Sequence, residues 1–203
     1  MNKVTLAVLA GGRASRMNGE DKGLITVAGQ PMIQHVLNRV RLDNMPTLVI
    51  ANRNKDAYAR IGYPVFSDQH PDHPGPLAGM CVALQQATTD YVLICPCDTP
   101  MLPTDLADAM LRQLEQEDAD LTVAFDGHYD HPVILLMKRS LLPSLQQYLR
   151  GEDRKIKRWF SQHHAVRCEF AGQMEAFANI NTPEQRQQLE QILHAQDSQR
   201  GKS

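Results

Sequence analysis

Short apolar runs recur along the chain at residues 4–9, 47–51, 64–66, 91–95, 121–125 and 133–137. Most lack polar alternation, the pattern of strands covered on both faces rather than half open to water. Helical patterns fall between them. Ile33, Val36, Leu37 and Val40 follow Pro31 at three- and four-residue spacing, and Leu77, Met80, Cys81 and Leu84 follow Pro76. A proline suits the first helical position, where its missing N–H is not needed. Leu106, Met110, Leu111 and Leu114 form a third pattern. There Thr104 or its neighbour caps, and Asp105 is favourable in the first turn. Strands alternating with helices predict a three-layer α/β domain around a mostly parallel sheet.

The second half is less regular. Asp126-Gly127-His128 suits a hairpin turn between residues 121–125 and 133–137, so an antiparallel excursion is expected there. Helices are predicted over 140–149 and 155–162, a late strand over 166–170, and a final Gln- and Glu-rich helix from Pro183. From Gln196 the chain is polar and is expected to be a disordered tail. With 203 residues, 42% of them apolar, one substantial core is possible, giving a single domain over 1–195 and a tail over 196–203.

Charge and cysteine content exclude several classes of function. The 21 basic and 23 acidic residues create no extended positive field, which argues against nucleic-acid and membrane partners. No stretch approaches the about 18 apolar residues that a membrane span needs, and Lys3 is followed by no long apolar export region. Cys81, Cys95, Cys97 and Cys168 include no C-x-x-C pair, so a reduced, cytoplasmic protein is expected.

Ligands of open parallel sheets bind beyond the carboxyl ends of the strands, which directs attention to the residues after each run. The first run opens into Ala10-Gly11-Gly12-Arg13-Ala14-Ser15-Arg16-Met17 and continues to Asp21-Lys22-Gly23. Paired glycines let backbone N–H groups approach a phosphate, and Arg16 and Lys22 supply countercharge. The spacing is neither G-x-G-x-x-G nor G-x-x-x-x-G-K-[ST], so it matches neither the dinucleotide nor the P-loop fingerprint. Asn52 and Arg53 follow the second run, Asp68 the third, and Asp98 the fourth, within Cys95-Pro96-Cys97-Asp98-Thr99-Pro100. Asp98 offers hard oxygen to magnesium beside a phosphate, or it is a loop or capping aspartate.

Three further segments allow two readings each. Asn179 and Asn181 stand at alternate positions of an extended stretch and share a side, or the segment caps the helix begun by Pro183. His131 is a strand-start histidine or a substrate contact. The carboxylates and imidazoles from Asp68 to His73 lack zinc-ligand spacing and read as a proline-stiffened loop. Trp159 and Phe160, at helical spacing with Ile156, read as core and rim rather than as a stacking platform.

Taken together, Leu9 to Met17 and Asp21-Lys22-Gly23-Leu24 resemble the signature of the molybdenum cofactor guanylyltransferases, the MobA family. So do Gly29-Gln30-Pro31, Asp68 with Gly75-Pro76-Leu77-Ala78-Gly79, the Cys95 to Pro100 segment, Asp130-His131-Pro132 and Asn179-Ile180-Asn181-Thr182-Pro183-Glu184. The resemblance covers nearly the whole chain, in order. It implies a Rossmann-like nucleotidyltransferase fold and transfer of GMP from GTP to molybdenum-molybdopterin with Mg2+. By position it implies GTP contacts from Leu9, Ala10, Gly11, Gly12, Lys22, Asp68 and Asp98. Asp98 would hold the metal, Arg16, Lys22 and Asp98 would be catalytic, and Asn179 and Asn181 would meet the pterin substrate. Ile50 departs from the family, where asparagine can contact the nucleotide. A backbone contact of Ile50, or neighbouring Asn52, is expected in its place. Transient contacts with cofactor-biosynthesis proteins and recipient molybdoenzymes are also implied. The alternatives are a relative using CTP or a sugar or alcohol phosphate acceptor, and a noncatalytic carrier of nucleotide or cofactor.

Overall fold

The structure, a computed structural model, describes residues 3–10, 20–68, 75–151, 153 and 155–200, excepting the side chains of 196–200. The elements in chain order are β1 (Val4–Leu9), a two-stranded hairpin of β2 (Thr26–Val27) and β3 (Gln30–Pro31), α1 (Met32–Val40), β4 (Thr47–Ile50), α2 (Lys55–Ala59) and β5 (Val65–Phe66). They continue with α3 (Pro76–Gln86), β6 (Tyr91–Pro96), α4 (Leu106–Gln116), β7 (Leu121–Phe125) and β8 (Asp130–Lys138). α5 (Leu142–Arg150), α6 (Ile156–Phe160), β9 (Ala165–Glu169) and α7 (Pro183–Arg200) complete the fold.

One seven-stranded sheet runs β5-β4-β1-β6-β8-β7-β9. β8 runs against its neighbours β6 and β7, while the other pairings are parallel. The expected antiparallel excursion is therefore one long strand inside a mostly parallel sheet.

The runs that form β1, β4 and β6 lie inside the sheet because both of their faces are covered. Val4, Leu6 and Val8 of β1 and Leu93 and Cys95 of β6 face a cluster containing Ile33, Val36, Leu37 and Val40 of α1 and Leu106, Met110 and Leu114 of α4. Ala7 of β1, Leu48 and Ile50 of β4, and Val92 and Ile94 of β6 face the other layer, built from α3, α5 and α6. Each large apolar side chain taken from water contributes about 1.5–3 kcal/mol, so each helix is held mainly by its inward stripe. α3 is buried on nearly all sides and approaches the sheet closely at Gly79. A Cβ there would lie 3.1 Å from Leu9 and 3.5 Å from Ile50.

Local differences from the sequence expectation have identifiable causes. Pro31 is the N-cap of α1 rather than its first residue, because it also pairs with Thr26 in the small hairpin. Ala28 and Gly29, with φ of +44° and +79°, make that turn. β8 begins at Asp130, so Pro132 lies within a strand. It is tolerated where the register slips between Val123 and Ala124, away from the β6 ladder. Asp105 is the N-cap of α4. The final helix runs from Pro183 to Arg200. Beyond Pro183 it contains neither Gly nor Pro, the two residues that break helices most strongly.

Candidate active site

β1 lies between β4 and β6, and the chain leaves it in one direction before returning on the other side. That reversal opens a crevice beyond the carboxyl ends of β1 and β6, the usual place for a ligand in an open α/β sheet. Backbone bonds tie the rim together: Ala10 N donates to Ile50 O at 2.8 Å, and Cys97 N donates to Leu9 O at 3.0 Å.

Lys22 and Asp98 meet at this crevice. The Lys22 ammonium lies 3.0 Å from Asp98 Oδ2 and also donates to Asn181 Oδ1. Side-chain exposures of 20% for Lys22 and 13% for Asp98 leave the pair partly shielded from water yet reachable. A third segment is fastened to the same loop. Ile180 N donates to Asp98 O at 2.9 Å, and Thr99 Oγ1 donates to Asn179 Oδ1 at 2.7 Å. Residues far apart in sequence, Lys22, Asp98, Asn179 and Asn181, are thus assembled at one strand-end loop.

The capping reading of the asparagine segment holds. Thr182 caps α7 reciprocally with Gln185: Gln185 N donates to Thr182 Oγ1 at 3.3 Å, and Gln185 Oε1 accepts from Thr182 N at 3.1 Å and Asn181 N at 2.7 Å. Because Thr182 and Gln185 do the capping, the Asn179 and Asn181 amides face Thr99 and Lys22.

Asn52 and Asp68 form a separate reciprocal pair at the ends of β4 and β5. Asn52 Nδ2 donates to Asp68 Oδ2 at 2.8 Å, and Asp68 N donates to Asn52 Oδ1 at 3.0 Å. Ile50 is 4% exposed, its side chain lies among the apolar residues beneath α3, and its carbonyl receives Ala10 N. Leu9 also packs into that layer, and Ala10 lines the opposite one. Gly11, Gly12 and Arg16 lie outside the described residues, as do His70 and His73.

Residues to which the sequence assigned no contact, Asp21 and Tyr58 among them, pack around the site with Gly23. Asp21, 7% exposed, accepts from the Tyr58 hydroxyl and, at 3.1 Å, from Asn54 Nδ2. Gly23 is wedged where an added Cβ would be 2.5 Å from Tyr58 Oη and 3.1 Å from Cys97 Sγ. Burial raises the Cys97 thiol well above its ordinary range, and Asp98 and Asp21 add to that effect. Cys97 therefore stays protonated as a packing residue. Tyr58 lies on α2, a five-residue helix too short to leave a periodic signal in sequence.

Two other candidates make contacts within the protein. His131 bonds Asp126 Oδ2 through Nε2 at 2.8 Å and stacks on Phe177 with ring centroids 4.8 Å apart. Trp159 is fully buried and donates to Ser144 Oγ at 3.2 Å. Among the described residues, no cluster of three or more His, Cys, Asp or Glu side chains could hold a metal, and no helix is long and apolar enough to cross a membrane.

The fold is the Rossmann-like sheet of nucleotidyltransferases, and the similarities of the chain place it in that enzyme class. Residues 6–166 match the MobA-like NTP transferase domain, and the chain belongs to that family. It is 51% identical over 187 residues to the molybdenum cofactor guanylyltransferase of Shewanella frigidimarina, covering 92% of this chain and 95% of that protein. It is 47% identical over 191 residues to the protein of the same name from Shewanella loihica, covering 94% and 97%. In fold it resembles the crystal structure of molybdopterin-guanine dinucleotide biosynthesis protein A from Archaeoglobus fulgidus, with a TM-score of 0.78 and 22% identity over 94% of this chain and 99% of that one.

Proposed function

We propose that the protein transfers GMP from GTP to molybdenum-bound molybdopterin, releasing pyrophosphate. The observation that carries this reading is the Lys22 ammonium spanning Asp98 and Asn181. It joins the nucleotide end of the crevice to the segment assigned to the acceptor. The names of the relatives support the choice of base and acceptor.

The acceptor is a phosphate monoester whose second pKa is about 6, so near neutral pH it is already largely ionised and needs no strong general base. One of its oxygens bonds to the α-phosphorus of GTP while the bond from that phosphorus to the β-phosphate oxygen breaks. Pyrophosphate carries away the electron pair. Alignment and charge neutralisation therefore do most of the work. Lys22 moves from its protein partners onto the phosphate oxygens, Asp68 with Asn52 contacts the nucleotide, and Asn179 and Asn181 hold the acceptor phosphate in line.

The residues fit magnesium. Mg2+ favours oxygen donors, takes one or two carboxylates and completes its shell with substrate phosphates and water. Asp98 supplies such a carboxylate, and its Oδ1 has no hydrogen-bond partner among the described residues. When bound, the ion neutralises triphosphate charge. The four cysteines are free and buried, which suits a reducing cytoplasm, where product would pass to recipient enzymes through transient contacts. Incubating purified protein with Mg2+, molybdenum-molybdopterin and each nucleoside triphosphate tests the proposal. GTP should release pyrophosphate with formation of the guanine dinucleotide. Turnover with CTP but not GTP would overturn the base assignment, and binding without turnover would leave a carrier.

A further inference from the structure

Lys22 sits in a three-residue turn, Lys22–Leu24, with little regular structure to fix a long, flexible side chain. The residues on either side of it are held far more firmly. On one side, Asp21 is buried and receives two neutral donors from the α2 region, Tyr58 Oη and Asn54 Nδ2. Asn54 can supply its amide there because it adopts a left-handed conformation, φ +50°, that places it just ahead of α2. On the other side, Gly23 fits between Tyr58 Oη and Cys97, the residue immediately before Asp98. The turn closes on itself through Leu24 N to Asp21 O at 3.0 Å and Ile25 N to Lys22 O at 3.3 Å.

From this arrangement we infer that Asp21, Tyr58 and Asn54 form a positioning clamp that fixes Lys22 for the reacting phosphates. The Tyr58 hydroxyl is its central element. It binds the carboxylate before Lys22 and abuts the glycine after it, and Tyr58 itself is fully buried against the main core. Among the described residues the ion pair of Lys22 is with Asp98, not with Asp21. The clamp acts on the backbone at both ends of the lysine, leaving its ammonium free to exchange Asp98 and Asn181 for phosphate oxygens. A small displacement of such a group is costly, because a shift of about 1 Å at a reacting centre costs on the order of 100-fold in rate.

The inference rests on Lys22 binding the triphosphate, so the experiment separates the two. Tyr58→Phe keeps the ring and removes the hydroxyl. Pyrophosphate release would be measured with GTP, Mg2+ and molybdenum-molybdopterin for wild type, Tyr58→Phe, Lys22→Ala and the double variant, alongside thermal unfolding. Tyr58→Phe should lower kcat about 10- to 100-fold, with KM for GTP within about threefold, because alignment is lost more than ground-state binding. In the Lys22→Ala background the same change should cost no more than about twofold, the non-additivity expected when one residue acts through another. Asn54→Ala should lower kcat in the same direction and provides a second test should Tyr58→Phe fail to fold. Unchanged kcat in both clamp variants, or a double variant showing the full product of the two single losses, would overturn the clamp while leaving Lys22 in place. Wild-type turnover by Lys22→Ala would instead remove Lys22 from the chemistry, and the clamp with it.

Discussion

Asp98 and Asp126 occupy similar positions, each just beyond the carboxyl end of a strand in the same sheet, yet their surroundings differ sharply. Asp126 is 2% exposed. Its Oδ1 accepts from His128 N and Tyr129 N, both at 2.7 Å, and its Oδ2 faces His131 Nε2 at 2.8 Å. The Tyr129 N–H, with help from His131 and the His128 N–H, pulls its carboxyl down to about 2 against the opposing effect of burial. Asp98 is more open, with its side chain 13% exposed, and its Oδ2 accepts from the Lys22 ammonium at 3.0 Å. A carboxylate saturated by fixed donors builds a turn, whereas Asp98 has, among the described residues, only the Lys22 ammonium on its carboxylate. Strand-end position selects both; hydrogen-bond saturation separates them.

Exchanging their roles by mutation should produce opposite outcomes. Asp98→Ala is expected to lower magnesium-dependent turnover by at least about 100-fold, the scale seen when a preorganised charge-stabilising group is lost. Its melting temperature should stay close to wild type. Steady-state pyrophosphate release and calorimetry check both halves, and full turnover in Asp98→Ala would erase the distinction. Asp126→Ala should do the reverse. Three donors lose their acceptor in a buried turn, so the melting temperature falls, while kcat per folded molecule stays within about twofold because the reacting groups are untouched. Loss of activity without loss of stability in Asp126→Ala would make that carboxylate functional too.

The pH dependence sharpens the contrast further. Asp126 has a folded pKa of about 2, below its ordinary value of 3.8. The stabilisation it provides is complete above about pH 4 and is lost as pH falls through about 2, where the folded state must also take up the proton. The melting-temperature gap between wild type and Asp126→Asn should therefore narrow between those values. Asp153, also held at about 2 chiefly by the Lys155 N–H, titrates in both proteins and cancels from the difference. A constant gap across this range would show that charge at Asp126 contributes nothing to the turn.

The contrast also marks where sequence stopped being sufficient. Apolar runs without alternation placed the central strands well, because burial on both faces writes itself directly into composition. Pro76 and Pro183 marked helix starts correctly for the same local reason. Position after a strand also brought Lys22 and Asp98 forward. Asp126 is saturated by donors two to five residues on, within the turn that its own spacing marks, whereas the partner of Asp98, Lys22, is 76 residues away, and no local spacing records it. The small hairpin and α2 were missed because two-residue strands and a five-residue helix are too short to show a period. The clamp on Asp21 was missed with α2. Ile50 shows the converse case. Its apolar side chain belongs to the packing under α3, so any nucleotide contact from the end of β4 falls to backbone or to Asn52.

The smallest expected effect concerns that last point, and it tests whether an exposed pair can behave like Asp98 rather than Asp126. Asn52 and Asp68 satisfy each other through two hydrogen bonds in water-accessible surroundings. Such bonds add little to stability because solvent replaces them readily. Asn52→Ala should leave the melting temperature nearly unchanged. If Asp68 contacts the nucleotide, however, freeing its carboxylate to rotate should raise KM for GTP about threefold, with kcat retained, the signature of lost uniform binding rather than lost transition-state stabilisation. Asp68→Asn, which keeps the shape but removes the charge, should affect KM more than Asn52→Ala does. Equal and negligible effects from both would confine nucleotide recognition to the β1 and β6 loops, and the division between saturated and available carboxylates would then hold only around Lys22.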